Sequence, residues 1–289
     1  MMDYIALLRM NQWVKNLFVL APVFFALEFL QHERLVAALW AMLTFCLVSS
    51  AVYILNDWKD RADDAEHPEK CKRPFASGRV STVQGMVVGL VLLVAAGVVG
   101  FFFVPASIPF ITAYLILNIN YTLWMRNVAL LDITSIALGF VLRVMAGAAA
   151  VNVPATHWII LMTFLLALFI ALGKRRDDVV ALDNGKAHRK SIHGYNRAFV
   201  DASMTLMGAV ITVSYLLYTL SPEVSTRFGG GPVYGTVLFV LLGLLRYLQL
   251  SLVLGKSGNP TSLVYKDRFL QAVIVGWAAS FFVLFGFHT

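Results

Sequence analysis

LVAALWAMLTFCLVSSAVYILNDWKDRADD, residues 35–64, decides the fold. Its first 21 residues carry no charge, and about 20 suffice for a helix to cross the hydrocarbon of a bilayer. Asn56 and Asp57 follow Leu55 directly, so polar groups begin where such a helix reaches the membrane boundary and where an unpaired charge is costly.

Eight further stretches behave alike: 17–30 (beginning near Trp13), 83–104, 108–125, 128–150, 157–173, 202–220, 233–254 and 269–287. None alternates as a barrel strand does. With 35–55 they predict an all-α polytopic membrane protein of nine transmembrane helices around a central cavity. Composition agrees: 59% of the 289 residues are hydrophobic, 13% are charged and mean hydropathy is +0.76. A soluble domain carries about 25% charged residues.

The net charge of +7 suits positive-inside loops and anionic headgroups, and no motif points to nucleic acid. With the N-terminus inside, nineteen of the 23 Lys and Arg residues fall on the inner side: two before the first span, six in 56–82, Arg126, seven in 174–201 and three in 256–268. Arg34 and Arg227 fall outside, and Arg143 and Arg246 lie within spans. This predicts a multi-pass protein of the cell (inner or plasma) membrane with N-terminus and active site cytosolic and C-terminus outside. The opening residues lack a cleavage site and read as a mature cytosolic end. Cys46 and Cys71 predict neither a disulfide nor a zinc site.

The segment NDWKDRADDAEHPEKCKRPFASGRVS, residues 56–81, carries the chemistry. Asp57, Asp60 and Asp64 recur at i, i+3 and i+7, one face of a helix. Carboxylates so placed repel unless a cation lies among them, and Mg²⁺ takes carboxylates together with substrate phosphate oxygens. The pattern predicts a Mg²⁺–diphosphate site, with Asp57, Asp60 and Asp64 as catalytic and metal-holding groups and Asn56 beside them. Lys70 and Arg73, around Pro74 and Gly78, suit phosphate.

N-D-x-x-D-x-x-x-D after a second span resembles the first aspartate motif of the UbiA superfamily of intramembrane prenyltransferases. The resemblance implies one integral membrane domain over 1–289, with loops 56–82 and 174–201 at the cavity mouth. It also extends to NQWVKNLFVLAPVFFA (11–26), HPEKCKRPFASGRVS (67–81), GFVLRVMAGAAA (139–150), ALGKRRDD (171–178) and GNPTSLVYKDR (258–268). Members that transfer prenyl groups carry a second D-x-x-x-D in the later loop. Here Ala181 stands four after Asp177, and Asp178 and Asp183 are five apart. The loop leads instead with Lys174-Arg175-Arg176 and continues His188-Arg189-Lys190, cations that bind phosphates directly.

These cations favour a phosphoribosyl donor, and the resemblance, closest through the segments just quoted to one branch of the superfamily, implies transfer of phosphoribosyl from phosphoribosyl diphosphate to a polyprenyl phosphate of decaprenyl type, in cell-envelope polysaccharide precursor synthesis. The expected phosphate contacts are Lys15, Lys70, Arg73, Arg126, Arg143, Lys174, Arg175, Arg189 and Tyr195. Arg126 replaces an expected Lys and Asp178 an expected Glu, both keeping their charge sign. A homo-oligomer is compatible with the sequence. The alternatives are a UbiA-type prenyltransferase acting on an aromatic acceptor and a lipid-linked sugar transporter that uses Arg143 and Arg246 as pathway charges.

Overall fold

A computed structural model of the chain describes residues 2–26, 28–66, 70–183, 192, 194–227, 231–255, 263 and 266–286. The described residues form helices α1 Met2–Leu7, α2 Ala21–Phe25, α3 His32–Lys59, α4 Arg61–Ala65, α5 Thr82–Phe103, α6 Ile108–Leu123, α7 Leu131–Ala150, α8 His157–Asp183, α9 Arg197–Thr219, α10 Pro222–Arg227, α11 Val237–Leu248 and α12 Arg268–Gly286, with no strand among them. Seven helices among the described residues are long and apolar enough to cross a membrane, and α12 contributes a shorter apolar stretch, Arg268–Leu284.

The departures from the expected nine have physical causes. Where a first α-helical span was expected over 17–30, the chain forms a 3-10 helix, Met10–Leu20, and then α2. A 3-10 helix has three residues per turn, which brings Trp13, Asn16 and Val19 onto one edge. Trp13 Nε1 donates to Ser50 Oγ (3.1 Å), Asn16 Nδ2 reaches Cys46 Sγ (3.3 Å) and Ser49 Oγ (3.2 Å), and Val19 is fully buried. At the other end of the chain, the expected loop 174–201 begins as helix. Past Gly173 the segment KRRDDVVALD has neither Gly nor Pro, and α8 runs through it to Asp183.

The chain divides into two compact units, residues 1–126 with 138–160, and residues 127–137 with 161–289. In the first, α3 is 28 residues long, or roughly 42 Å at 1.5 Å per residue, longer than a hydrocarbon core of about 30 Å. Its last turns therefore carry Asn56, Asp57 and Lys59 beyond the apolar layer. α5 packs on α3 where buried Gly89 faces Ile54 and buried Gly100 faces Thr44, small residues that let membrane helices approach closely, while buried Gly85 faces Phe75. Its other face shows Val87, Leu90, Val94, Val98 and Phe101, each more than half exposed, an apolar stripe suited to lipid. A separate patch of Leu7, Ile54, Phe75 and Val80 underlies the acidic segment. Gly78, at φ 71°, provides the left-handed turn behind Pro74.

The second unit centres on Phe169, Leu172, Met204, Ile211, Tyr247 and Leu250. α9 starts on Asn196, whose side chain accepts from Phe199 N–H at 2.8 Å. α11 ends in a π-helical turn, Gln249–Val253, whose Ser251 carbonyl receives Arg176 Nη1 at 2.6 Å.

The closest approach in the first unit is at Gly147, where an added Cβ would lie 1.9 Å from the Val19 carbonyl oxygen. Backbone cannot yield there as a side-chain tip can. Gly147→Ala should destabilise the protein by about 3 kcal/mol or more, whereas exposed Gly97, with nothing within 4 Å of an added Cβ, should accept Ala with no loss or a gain of up to about 1 kcal/mol. Thermal unfolding of the two variants in detergent measures the contrast.

Candidate active site

The acidic segment is assembled from α3, α4 and the 3-10 turn Lys70–Lys72. Asp57 and Asp64 are each 4% exposed. A carboxylate that buried needs a paired charge. Asp57 Oδ1 is contacted by Arg9 Nη2 and lies 3.3 Å from Arg73 Nη1, and the same Arg73 nitrogen lies 2.5 Å from Asp64 Oδ2. Asp60 faces Arg126 instead, at 2.6 Å, with both side chains partly exposed. Three carboxylates thus meet three guanidiniums, two of them at one nitrogen.

The expected three-carboxylate clamp is not preformed, because Asp60 is held by Arg126, and among the described residues no three His, Cys, Asp or Glu side chains form a metal cage. Asp57 and Asp64 do converge on a single position that already holds positive charge. Mg²⁺ usually binds through one or two carboxylates plus substrate phosphates rather than through an all-protein cage. This pair of oxygen donors fits that coordination, with Arg73 occupying the bridging position.

Asn56 is turned to α6, where its Oδ1 accepts from the Thr122 hydroxyl. Lys15 Nζ reaches Tyr53 Oη at 3.5 Å. Lys70 is exposed. These, with Arg73 and Arg126, are the expected phosphate contacts that the first unit holds near the acidic segment's own helices.

Arg143 has a different place. It is 4% exposed, and donates through Nε to Asn16 Oδ1 (2.8 Å), through Nη1 to the Gly139 carbonyl (2.8 Å) and through Nη2 to Tyr114 Oη (2.9 Å). The rings of Phe45, Tyr114 and Phe140 flank it at 4.6–5.8 Å. All three nitrogens are engaged within the unit, so Arg143 ties α7 to the 3-10 segment and to α6.

In the second unit the reading of a phosphate-binding loop changes. Arg175 is fully buried, 3.2 Å from Asp132 Oδ2 and 2.5 Å from Asp178 Oδ2. Tyr195 donates to Asp132 Oδ1 at 2.6 Å and accepts from Leu130 N–H at 2.8 Å; burial first, and then the Asp132 carboxylate, hold its phenol above the ordinary range. Arg176 is buried against Asp201 (2.6 Å). Arg175 and Arg176 thus lie inside the second unit, because α8 extends beyond the expected span, and Arg175 Nε and Nη2 have no hydrogen-bond partner among the described residues. Lys174 alone of Lys174-Arg175-Arg176 is exposed. Arg189, with His188, Lys190 and His193, lies outside the described residues. Arg246 pairs with Asp267 at 2.7 Å.

The sequence reading missed Arg9 as a partner of Asp57. Its one signal was membership of the inner positive charges; 48 residues separate the two.

Over residues 17–270 the chain matches the UbiA prenyltransferase family, and it belongs to that family. It is 29% identical to decaprenyl-phosphate phosphoribosyltransferase of Corynebacterium glutamicum, over 93% of this chain and 82% of that protein. It is equally 29% identical to the protein of the same name from Mycolicibacterium smegmatis, over 93% and 88%. Its fold is similar to that of a UbiA homolog from Archaeoglobus fulgidus solved with GPP and Mg²⁺, with a TM-score of 0.69, 17% identity and coverage of 98% and 99%.

Removing Arg73 leaves Asp64 buried without its guanidinium. Arg73→Gln should destabilise the protein by about 3 kcal/mol. Arg126→Gln, which breaks a partly exposed pair, should cost about 1 kcal/mol or less. Thermal unfolding in metal-free buffer gives both values.

Proposed function

We propose that this UbiA-family membrane protein transfers the 5-phosphoribosyl group of phosphoribosyl diphosphate to the phosphate of a polyprenyl lipid of decaprenyl type. The observation that carries the reading is the convergence of two buried carboxylates, Asp57 and Asp64, on one cationic nitrogen. The curated relatives, named decaprenyl-phosphate phosphoribosyltransferase and matched over 93% of the chain, supply the substrate class. The step belongs to cell-envelope polysaccharide precursor synthesis.

Asp57 and Asp64 would hold Mg²⁺, with Asp60 and Asn56 completing the motif. When bound, the ion neutralises charge on the diphosphate leaving group. The chain's own residues do the rest. Arg73 and Arg126 exchange their carboxylate partners for phosphate oxygens, and Lys15 and Lys70 add point charges. Lys174 and Arg189 are the contribution of the 174–201 segment. Arg143, Arg175 and Tyr195 act as supports that hold helices rather than substrate. An oxygen of the lipid phosphate forms the new bond to ribose C1 as the C1–O bond to diphosphate breaks, and diphosphate leaves with the electron pair. The attacking phosphate is ionised at pH 7, so no side chain needs to take a proton; positioning and charge complementarity carry the rate.

The inner-side excess of Lys and Arg supports a cytosolic N-terminus and acidic segment. With Met10–Phe25 as an irregular first crossing and α12 as the last, nine crossings leave the C-terminus outside.

Detergent-purified protein should move label from phosphoribosyl diphosphate into the lipid fraction with polyprenyl monophosphate and Mg²⁺, and lose this activity with EDTA. Asp57→Asn should lower kcat by about 10²–10³. Near-normal turnover of that variant at saturating Mg²⁺ would sink the mechanism. Label-free lipid, alongside prenylation of 4-hydroxybenzoate from a polyprenyl diphosphate, would move the chain to the aromatic-acceptor branch.

A further inference from the structure

Arg9 sits at the hinge between α1 and the 3-10 segment with φ 47° and ψ 48°. A long side chain in the left-handed region costs of order 1–3 kcal/mol and persists where the surroundings impose it. Here the twist carries the guanidinium onto Asp57 and within 5.3 Å of the Tyr53 ring centroid. Beside it lies a cleft of about 480 Å³ whose described lining is polar at Arg9, Asn11, Gln12 and Arg73 and apolar at Ile5, Ala6 and Met10. Small-ligand sites occupy roughly 300–1,000 Å³.

The lining has one sign of charge. Among the described residues that line the cleft, two are guanidiniums and none is a carboxylate. Their carboxylate contacts run through one terminal nitrogen each, Arg9 Nη2 and Arg73 Nη1, and a guanidinium carries five N–H donors. The side chains of Arg9 and Arg73 are 21% and 29% exposed against 4% for Asp57, so donors face the cleft while the carboxylate lies behind them. Asn11 and Gln12 add amides whose side chains have no hydrogen-bond partner among the described residues.

We infer that this cleft is a phosphomonoester subsite, separate from the carboxylate pair and joined to it through Arg9 and Arg73. The inference rests on the phosphoribosyl-transfer reading, since it takes that reaction's ligands as its own. Two of them present a phosphomonoester: the sugar 5-phosphate and the lipid phosphate. A ligand with a diphosphate at one end of a pentose and a phosphate at the other needs two anion sites side by side. The shared guanidiniums place the cleft next to the Asp57–Asp64 position, and the Ile5–Met10 wall gives the sugar or the first isoprene unit an apolar face.

Gln12→Glu and Asn11→Asp each put a carboxylate in the cleft without touching Asp57, Asp60 or Asp64. Calorimetric titration of the full chain in detergent would use three probes: ribose 5-phosphate, farnesyl phosphate, and inorganic diphosphate with Mg²⁺. The expected result is that both variants bind ribose 5-phosphate at least tenfold more weakly than wild type and bind Mg²⁺-diphosphate within twofold. The same loss confined to farnesyl phosphate also establishes the subsite, with the lipid as its source. Unchanged affinity for both monoesters overturns the subsite and leaves the phosphoribosyl reading standing. So does an equal loss of all three probes in both variants, which marks a general folding defect. Wild type that binds none of the three overturns the reading itself.

Discussion

Two carboxylates buried at the end of an apolar helix are the constraint around which the first unit is arranged. Asp57 follows an uncharged run long enough to cross hydrocarbon, and Asp64 is equally buried. Ions so placed need counter-charge, and breaking such a pair costs about 3–5 kcal/mol. The cations come from both directions along the chain. Arg9 arrives through a left-handed turn, and Arg73 through a segment fixed by Pro74, by Gly78 and by Phe75, which presses against the position where Gly85 lacks a side chain. The small-residue face of α5, the apolar patch beneath the segment and the strained hinge at Arg9 each bring positive charge to those two carboxylates or hold it there.

What the sequence revealed, and what it concealed, follows from the range of the forces involved. Hydrophobic runs are local, so α3, α5, α6, α7, α9 and α12 were legible to within a few residues. The acidic motif was legible because Asp57, Asp60 and Asp64 recur at helical spacing, but the expected single face is broken at Asp60, where α3 ends and α4 begins and where the side chain turns to Arg126. The 3-10 form of Met10–Leu20 was not, since it depends on partners contributed by α3: Ser50 for Trp13, and Cys46 and Ser49 for Asn16. The same limit hid Arg9. A hydrogen bond across 48 residues leaves no periodicity to read.

Lys174-Arg175-Arg176 illustrates a second kind of misreading. A cluster of cations after an apolar span suggests a solvated, anion-seeking loop, but burial depends on where the helix ends. α8 continues to Asp183, and its register turns Arg175 and Arg176 inward while Lys174 stays exposed. Asp132 and Asp178 then enclose Arg175, Tyr195 donates to Oδ1 of the Asp132 carboxylate, and Arg176 satisfies the π-turn carbonyl of Ser251. The departure from the second D-x-x-x-D was real in sequence. Its structural meaning is that Arg175 and Arg176 pair within the unit, while Lys174 and Arg197 face outward.

Both units therefore use carboxylate–guanidinium pairs, but they differ in how far the guanidinium is exposed. In the second unit the guanidinium of Arg175 is fully enclosed, against Asp132, which is also fully buried, and Asp178, which is 30% exposed. Such a cation cannot change partners without exposing the core around it, so the pair serves rigidity. In the first unit Asp57 and Asp64 are enclosed and their guanidiniums are the exposed members, at 21% for Arg9 and 29% for Arg73. There the cations can turn toward an incoming phosphate provided another positive charge takes their place on Asp57 and Asp64. In the proposed reaction a divalent ion bound with a diphosphate would supply that charge. The pairing in the first unit would then be the complement of the bound one, and it is the exposure of Arg9 and Arg73, which Arg175 lacks, that favours the proposal.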